Sequence, residues 1–230
     1  MINKEKINEI TKRIESLKNL IDNSTPIPDG IVDLEKYNNS PIKLLWILKE
    51  VNSENDTDEW DLRDALKDLK TKDGMKKGWK KTYLPVIYTS YGIIHNIKWD
   101  DSDSIYKNPD MVDTLKEIAV VNVKKFPGKS VANLEQLQKS YEQQKEILKE
   151  QIEVYEPDII ICGGTFDIIK NDIIKGENDL QVIKEEPFSA YKQNKRIIID
   201  AYHPAQHTIT QEKYCDTILY LANVFLNRKN

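Results

Sequence analysis

Four short apolar runs, each followed by polar or glycine residues, are the clearest pattern in this chain. They cover residues 44–48, 118–123, 158–162 and 196–200 and are rich in Ile, Val and Leu. Runs of this kind, almost free of polar residues, are typical of strands in a parallel sheet, because helices bury both faces of that sheet. The polar residues follow the carboxyl ends of the predicted strands, and open α/β sheets bind their ligands at that edge.

Helical periodicity fills much of the sequence between the strands. Apolar residues repeat at spacings of three and four, and the predicted helices cover residues 3–22, 60–69, 83–97, 109–117, 133–155 and 211–226. Strand–helix–strand units predict parallel pairing with right-handed crossovers. We therefore expect an α/β fold, a three-layer α/β/α sandwich with a central, mainly parallel four-stranded sheet. Residues 175–195 are expected to be irregular apart from a short strand at 180–183.

The length and composition predict one soluble domain. Residues 1–230 are expected to form it, with residues 1–25 as an N-terminal helical appendage. No apolar run approaches the ~20 residues that a membrane-spanning helix needs, and no apolar signal segment follows Met1. The two cysteines, Cys162 and Cys215, do not have the spacing of metal ligands. We expect a cytoplasmic monomer that binds no metal, no other cofactor and no membrane.

Lysines are clustered in two places, although the chain has a net charge of −4. Dedicated nucleic-acid binders are more often basic overall, so local clusters matter more here than the total. The clusters are Lys76, Lys77, Lys80 and Lys81, and Lys124, Lys125 and Lys129. We interpret the first cluster as a solvated face. The second follows a predicted strand at the ligand-binding edge, and we expect it to contact phosphates.

Three strand ends have side chains with useful chemistry. His203 follows the fourth run and can stabilise a developing anion. Asn122, in the second run, offers a donor and an acceptor, which suits the edge of a nucleobase. Glu50 and Asn52 follow the first run, and a carboxylate there can orient water or stabilise a cation. Each residue also fits a structural role, such as a loop hydrogen bond or a salt bridge, and residue types alone leave both interpretations open.

A glycine-rich turn, Gly163-Gly164-Thr165, follows the third run. The glycines let the backbone approach a ligand, and the start of the next helix supplies free N–H groups. A plain tight turn is the alternative. The chain has no phosphate-loop signature, dinucleotide-binding fingerprint or Gly-x-Ser-x-Gly elbow. The sequence therefore favours a site shared between several strand ends over a single well-known motif.

Taken in order, these strand ends resemble the uracil-DNA glycosylase superfamily. The resemblance covers residues 40–228 and depends on the order and spacing of short segments. The similar segments are LWILKEVN at 45–52 for the first motif, VVNV at 120–123 for the second strand, PDIIICGG at 157–164 for the third strand, and YHPA at 202–205 for the His-Pro motif. The resemblance implies the family's α/β fold and hydrolysis of an N-glycosidic bond in DNA, with release of uracil or another damaged base.

The resemblance implies a role for each matched residue. Glu50 would activate water or stabilise the sugar cation, with Asn52 as the alternative. Asn122 would bind the edge of the base, and His203 would stabilise the anion that forms on it. Trp60 is our choice for the aromatic side chain that stacks on the base. Family members act on a base flipped out of the duplex, so the expected partner is single- or double-stranded DNA, or a nucleotide.

The resemblance also implies a phosphate-binding surface. In the family, the turn after the histidine grips a phosphate. Including the second lysine cluster and the glycine-rich turn, the expected DNA-binding residues are Lys124, Lys125, Lys129, Gly163, Gly164, Thr165, Pro204 and Ala205. The iron–sulfur branches of the family need four cysteines, whereas this chain has two, so no cluster is expected.

Two departures from the family pattern leave other functions open. Lys49 stands where the first motif has glycine, and Ala205-Gln206 stands where Ser-Pro is commoner. One alternative is a protein of the same fold that binds nucleic acid or a nucleotide without cleavage. Another is a nucleoside-processing enzyme on a different α/β scaffold, such as a deoxyribosyltransferase. Base release from oligonucleotides, binding without release, and turnover of free nucleosides would distinguish the three.

Overall fold

Parallel strands at the centre of one sheet place their carboxyl ends along the same edge. The computed structural model describes residues 2–19, 24–53, 57–129, 133–176 and 179–227. The strands in those ranges are β1 (Gly30–Ile31), β2 (Leu44–Leu48), β3 (Lys70–Thr71), β4 (Gly74–Met75), β5 (Ala119–Asn122), β6 (Ile159–Gly163), β7 (Gln181–Glu185), β8 (Phe188–Gln193) and β9 (Arg196–Ala201). Seven of them form a sheet in the order β1-β5-β2-β6-β9-β8-β7, and β3 pairs with β4 separately.

Helices lie between most of these strands. They are α1 (Lys4–Ser16), α2 (Leu34–Asn39), α3 (Leu62–Lys67), α4 (Lys80–His95), α5 (Leu134–Tyr155), α6 (Phe166–Ile173) and α7 (Gln211–Leu226), with 3-10 helices at Leu17–Asn19, Lys77–Trp79 and Pro109–Glu117. Side-chain caps fix some of the starts, as at α5, where Asn133 accepts a hydrogen bond of 3.0 Å from the Gln136 N–H. Residues 20–22 of the predicted first helix lie outside the described residues.

The central strands β5, β2, β6 and β9 are neighbours in that order and pair in parallel, which confirms the predicted parallel centre. The register sets Leu48 of β2 opposite Asn122 of β5, and Cys162 of β6 opposite Asp200 of β9. The segments that follow these strands therefore emerge side by side, and ligand sites in open α/β sheets are found at this edge.

The two faces of the sheet bury alternate residues against different helices. Trp46 and Leu48 of β2 pack in one core with residues of α4 and α7, whereas Leu45 and Ile47 pack in a second core with α1, α5 and α6. All four side chains are buried, which explains why no polar residue interrupts this run. The α/β/α layering is as predicted. The first helix, predicted as an appendage, buries its isoleucines in the second core.

The sheet has more strands than the four predicted. β1 pairs with β5 in the antiparallel sense at one edge, and an antiparallel β7–β8 hairpin extends β9 at the other. β7 overlaps the short strand expected at 180–183, but β8 lies in a segment expected to be irregular. Phe188 and Ala190 point inward between partly exposed residues, and the polar residues of this segment make the alternation hard to distinguish from a loop.

Among the helices of the described residues, none is both long enough and apolar enough to cross a bilayer.

Candidate functional site

A cleft of about 580 Å³ opens at the carboxyl edge of the parallel strands. We call it the strand-end cleft. Its walls come from the segments after β2, β5 and β9 and from the start of α4. Six of the residues predicted from the sequence line it, namely Glu50, Asn52, Asn122, Lys129, His203 and Ala205. Its volume lies in the usual range for small-molecule sites.

His203 is held in one tautomer by the turn that follows it. Its Nδ1 accepts a hydrogen bond of 3.2 Å from the Ala205 N–H, so the neutral imidazole carries its proton on Nε2. Burial, together with the nearby charges of Lys49 and Lys81, lowers the pKa of His203 from 6.5 to about 4. The ring is therefore neutral at pH 7, and its Nε2–H has no hydrogen-bond acceptor among the described residues.

Asn122 is fixed through its backbone and open at its side chain. Its N–H donates to Oδ2 of Asp29 at 2.7 Å, and the residue is 3% exposed. Within the described part of the chain, the side-chain amide makes no hydrogen bond, although it lines the cleft. The amide is therefore available to a ligand that enters the cleft.

Asp29, Lys125 and Gln151 form a buried polar cluster behind Asn122. The Lys125 Nζ donates to both carboxylate oxygens of Asp29, at 2.8 and 3.0 Å, and to Oε1 of Gln151 at 2.8 Å. Gln151 in turn donates to Oδ1 of Asp29 at 2.8 Å. Burial lowers the pKa of Lys125, and the Asp29 carboxylate opposes that effect. Lys125 is fully enclosed, so the prediction that it contacts phosphate is wrong.

Glu50 lines the cleft as one half of an ion pair. Its Oε2 accepts a hydrogen bond of 2.7 Å from Lys124, which also donates to the Pro127 carbonyl oxygen at 2.8 Å. The two side chains are 8% and 13% exposed, so Lys124 is not free to bind a phosphate as predicted. A Cβ at Gly128 would overlap the Glu50 carboxyl group, so Gly128 makes room for that side chain.

Backbone pairing continues past the ends of β2 and β5 and forms the floor beneath these side chains. The Val123 N–H donates to the Leu48 carbonyl oxygen at 2.9 Å, and the Gly128 N–H donates to that of Val51 at 2.8 Å. Asn52 then forms a bridge with Gly128 and is itself exposed. Asn52 is thus placed at the rim of the cleft, whereas Glu50 is nearly covered.

The glycine-rich turn after β6 supports the site from behind and does not line it. The Gly164 N–H donates to the Ala201 carbonyl oxygen at 2.7 Å, and the Thr165 hydroxyl donates to that of Ile47 at 2.9 Å. A Cβ at Gly163 would come within 3.0 Å of the Pro204 ring. These donors and Pro204 are used in packing the strand ends together, contrary to the phosphate contacts predicted for them.

The aromatic wall of the cleft is Trp79 and not Trp60, our sequence-based choice. Trp60 lies in a separate groove beside Pro26 and Pro28 and meets Trp79 edge to face, with ring centroids 6.2 Å apart. Trp79 lines the cleft and also contacts Tyr83 at 5.4 Å between centroids. The sequence signal that could have found it is the Gly78-Trp79 pair inside the first lysine cluster, just before a helix.

The start of α4 adds residues that the sequence analysis did not assign to the site. They are Lys81, Thr82 and Tyr83, and Lys49 joins them from the end of β2. The helix begins at Lys80 rather than at residue 83 as predicted, so its first turn reaches the cleft. Among the described lining residues, three are lysines and one is the carboxylate Glu50, which Lys124 already neutralises. The cleft is therefore cationic on an acidic protein.

The described residues contain no group of three His, Cys, Asp or Glu side chains placed to hold a metal ion. What the cleft does offer is a neutral imidazole donor, an unpartnered amide, a shielded carboxylate and an aromatic wall. Such a set can bind a planar polar ring and stabilise charge that develops on it. Comparison with protein-family models and with curated protein sequences gives no match.

Proposed function

We propose that this protein hydrolyses the N-glycosidic bond between deoxyribose and uracil, or another damaged base, in DNA. The observation that supports this most strongly is the neutral His203, with Nδ1 occupied by the Ala205 N–H and Nε2–H unpartnered in the described residues beside Asn122 and Glu50. A neutral donor can stabilise an oxyanion at ordinary pH without first having to lose or gain a proton. Fold resemblance alone would not assign this chemistry, so the proposal depends on the site.

In the proposed reaction the base lies flipped into the cleft, because the glycosidic bond cannot be reached inside the stack. The C1′–N bond breaks with its electron pair moving onto the base. The Nε2–H of His203 donates a hydrogen bond to the base oxygen on which that charge develops. Water then adds its hydroxyl group to C1′, and its remaining proton neutralises the released base.

The other residues of the cleft bind and position the substrate. The Asn122 amide supplies a donor and an acceptor for the base edge. Trp79 offers an indole face for stacking, a contact worth about 1–3 kcal/mol per base. Glu50 stabilises the cationic sugar electrostatically, since it lies next to the cleft in a nearly covered position. Asn52, more exposed, is the alternative for positioning the water.

A second candidate is a protein that binds DNA or a nucleotide in this cleft without cleaving it. The observation in its favour is the pairing of Glu50 with Lys124 at 2.7 Å, which leaves the carboxylate less able to act on water or on a sugar cation. Binding by the cationic cleft does not require that carboxylate to be free.

The deciding experiment is base release from single- and double-stranded oligonucleotides that contain 2′-deoxyuridine, followed by alkaline cleavage of abasic sites. We expect release by the native protein. Replacing His203 by Ala should slow it about 100- to 1,000-fold, the usual loss for one oxyanion donor. His207→Ala is the matched control, because His207 is exposed, close in sequence and outside the cleft.

Native protein that binds these oligonucleotides and never releases a base would reject the glycosylase and support the second candidate. Release by His203→Ala at the native rate would reject the role given to His203. Equal losses in both histidine variants would point to damage to the turn rather than to catalysis.

A further inference from the structure

Two lysines from different elements meet beside His203. Lys49 follows β2, and Lys81 lies in the first turn of α4, and both line the strand-end cleft. A Cβ built at Gly164 would lie 3.2 Å from the Lys49 Cε and 3.2 Å from the His203 backbone nitrogen. Gly164, with a φ of +69°, thus lets the Lys49 side chain cross next to the His203 backbone.

Among the described residues, no carboxylate neutralises either lysine. Most lysines near carboxylates in this structure are paired, as with Lys76 and Asp68 at 2.6 Å. Within the described residues, Lys49 and Lys81 have no ion-pair or hydrogen-bond partner, and Glu50, the nearby carboxylate, is already bound to Lys124. Two unpaired ammonium groups held in one cleft are a site for an anion.

The Asn122 side chain points to a ligand in the same cleft. Asn122 is 3% exposed and lines the cleft, and its amide has no partner in the described residues, so it is available to a bound ligand.

We propose that Lys49 and Lys81 form a phosphate subsite beside His203, and that this subsite holds the phosphate of a bound nucleotide. The identity of that nucleotide as part of a base-release substrate rests on the proposed function, whereas the phosphate contact does not. The phosphate is either a backbone diester of DNA or the terminal monoester of a mononucleotide, and the two share the chemistry recognised here.

The test measures binding of ligands that carry no uracil. They are thymidine 5′-monophosphate, a short oligodeoxythymidylate without terminal phosphates, and thymidine. Lys49→Met and Lys81→Met should each bind the relevant phosphate ligand about tenfold more weakly, the loss of one charge-assisted hydrogen bond. Thymidine, which has no phosphate, should bind the native protein and both variants equally.

Lys80→Met is the matched control. Lys80 is the neighbour of Lys81, but its Nζ bonds to the Tyr106 hydroxyl at 3.1 Å and it does not line the cleft. It should bind every ligand as the native protein does. A loss confined to the mononucleotide assigns a monoester, and a loss confined to the oligomer assigns a diester. For the oligomer, each cleft variant should also lower the salt slope of binding by about one.

A second readout reports on the place of the phosphate. An anion next to His203 should raise the pKa of its imidazole, observed as a shifted NMR titration when the phosphate ligand is added. Native affinity in both cleft variants, or an unchanged His203 titration in the ligand-bound protein, would overturn the subsite.

These outcomes separate the subsite from the proposed function. Phosphate binding that depends on both lysines, in a protein that releases no base, would leave the subsite standing and remove the glycosylase. Base release by the native protein, together with native affinity for the phosphate ligands in both lysine variants, would support the glycosylase and remove the subsite.

Discussion

Two polar regions lie on opposite sides of Asn122, and they differ in whether their polar groups are bonded within the protein. Behind it, the buried polar cluster satisfies its own groups, since Asp29, Lys125 and Gln151 bond to one another and Asp29 also accepts from the Asn122 N–H. In front, the strand-end cleft leaves the Asn122 amide and the His203 Nε2–H without partners in the described residues. The first region's groups are thus used within the fold, whereas the second region's groups are available to a ligand.

The largest expected effect breaks the buried cluster. Asp29→Ala should lower the free energy of unfolding by about 3–5 kcal/mol, because it leaves a charged Lys125 buried and unpaired. Urea denaturation measures the loss. Asp68→Ala, which removes an exposed partner of Lys76, should cost far less than Asp29→Ala. Similar losses in the two variants would mean that burial does not distinguish these ion pairs.

The next effect is a pH dependence of stability that comes from His203. Its pKa is about 4 in the folded protein against an ordinary value of 6.5, so between these values the unfolded chain binds more protons. Stability should therefore fall as the pH drops from about 6.5 to about 4, by roughly 3 kcal/mol in total. Denaturation across this range should show a flatter profile for His203→Gln.

The pH profile of the native protein must be compared with that of His203→Gln, because Asp200 also titrates in this range. Burial raises its pKa to about 6, so it contributes a slope of opposite sign in part of the same range. Asp200 is present in both proteins, and the difference between their profiles isolates His203. Coincident profiles would show that the imidazole is not held neutral by its surroundings.

A third test sharpens the assignment of the aromatic wall. Trp79→Ala should weaken substrate binding by about 1–3 kcal/mol, the value of one stacked base. Trp60→Ala is the control, because Trp60 meets Trp79 edge to face but lies in another groove. Oligonucleotide titration followed by intrinsic fluorescence measures both. A larger loss in the Trp60 variant would restore our sequence-based choice.

The smallest expected effect on stability belongs to Asn122. Asn122→Ala should change the free energy of unfolding by less than about 0.5 kcal/mol, because its amide has no partner among the described residues and its backbone bond to Asp29 remains. Base release by the same variant should fall. A large destabilisation would place Asn122 in the structural cluster behind it, and the contrast between the two regions would fail.

The sequence predicted what is local in this fold. The apolar runs identify the parallel strands because a strand buried on both faces has an apolar residue at every position, as in β2. The residues at the strand ends follow from the same pattern, and Glu50, Asn122 and His203 do line one cleft. The edge strands were harder to predict, since polar residues interrupt the apolar positions of β8.

The two lysine clusters show what a local pattern cannot reveal. The second was expected to bind phosphate, yet Lys125 meets Asp29, a residue 96 positions away in sequence. The first was interpreted as a solvated face, yet Lys81 reaches the cleft because α4 packs against α7, far along the chain. Whether a lysine is neutralised depends on contacts made in three dimensions, and neither residue type nor spacing encodes them.

Gly128 links two distant positions of this chain in a way that natural variation can reveal. A side chain at 128 and the carboxylate at 50 compete for the same space, so they cannot both be present in this arrangement. Among homologous sequences, a bulkier residue at the first position should therefore occur together with a shorter one at the second. Such co-variation would show, without any assay, that natural sequences keep the space at position 128 free for the carboxylate at position 50.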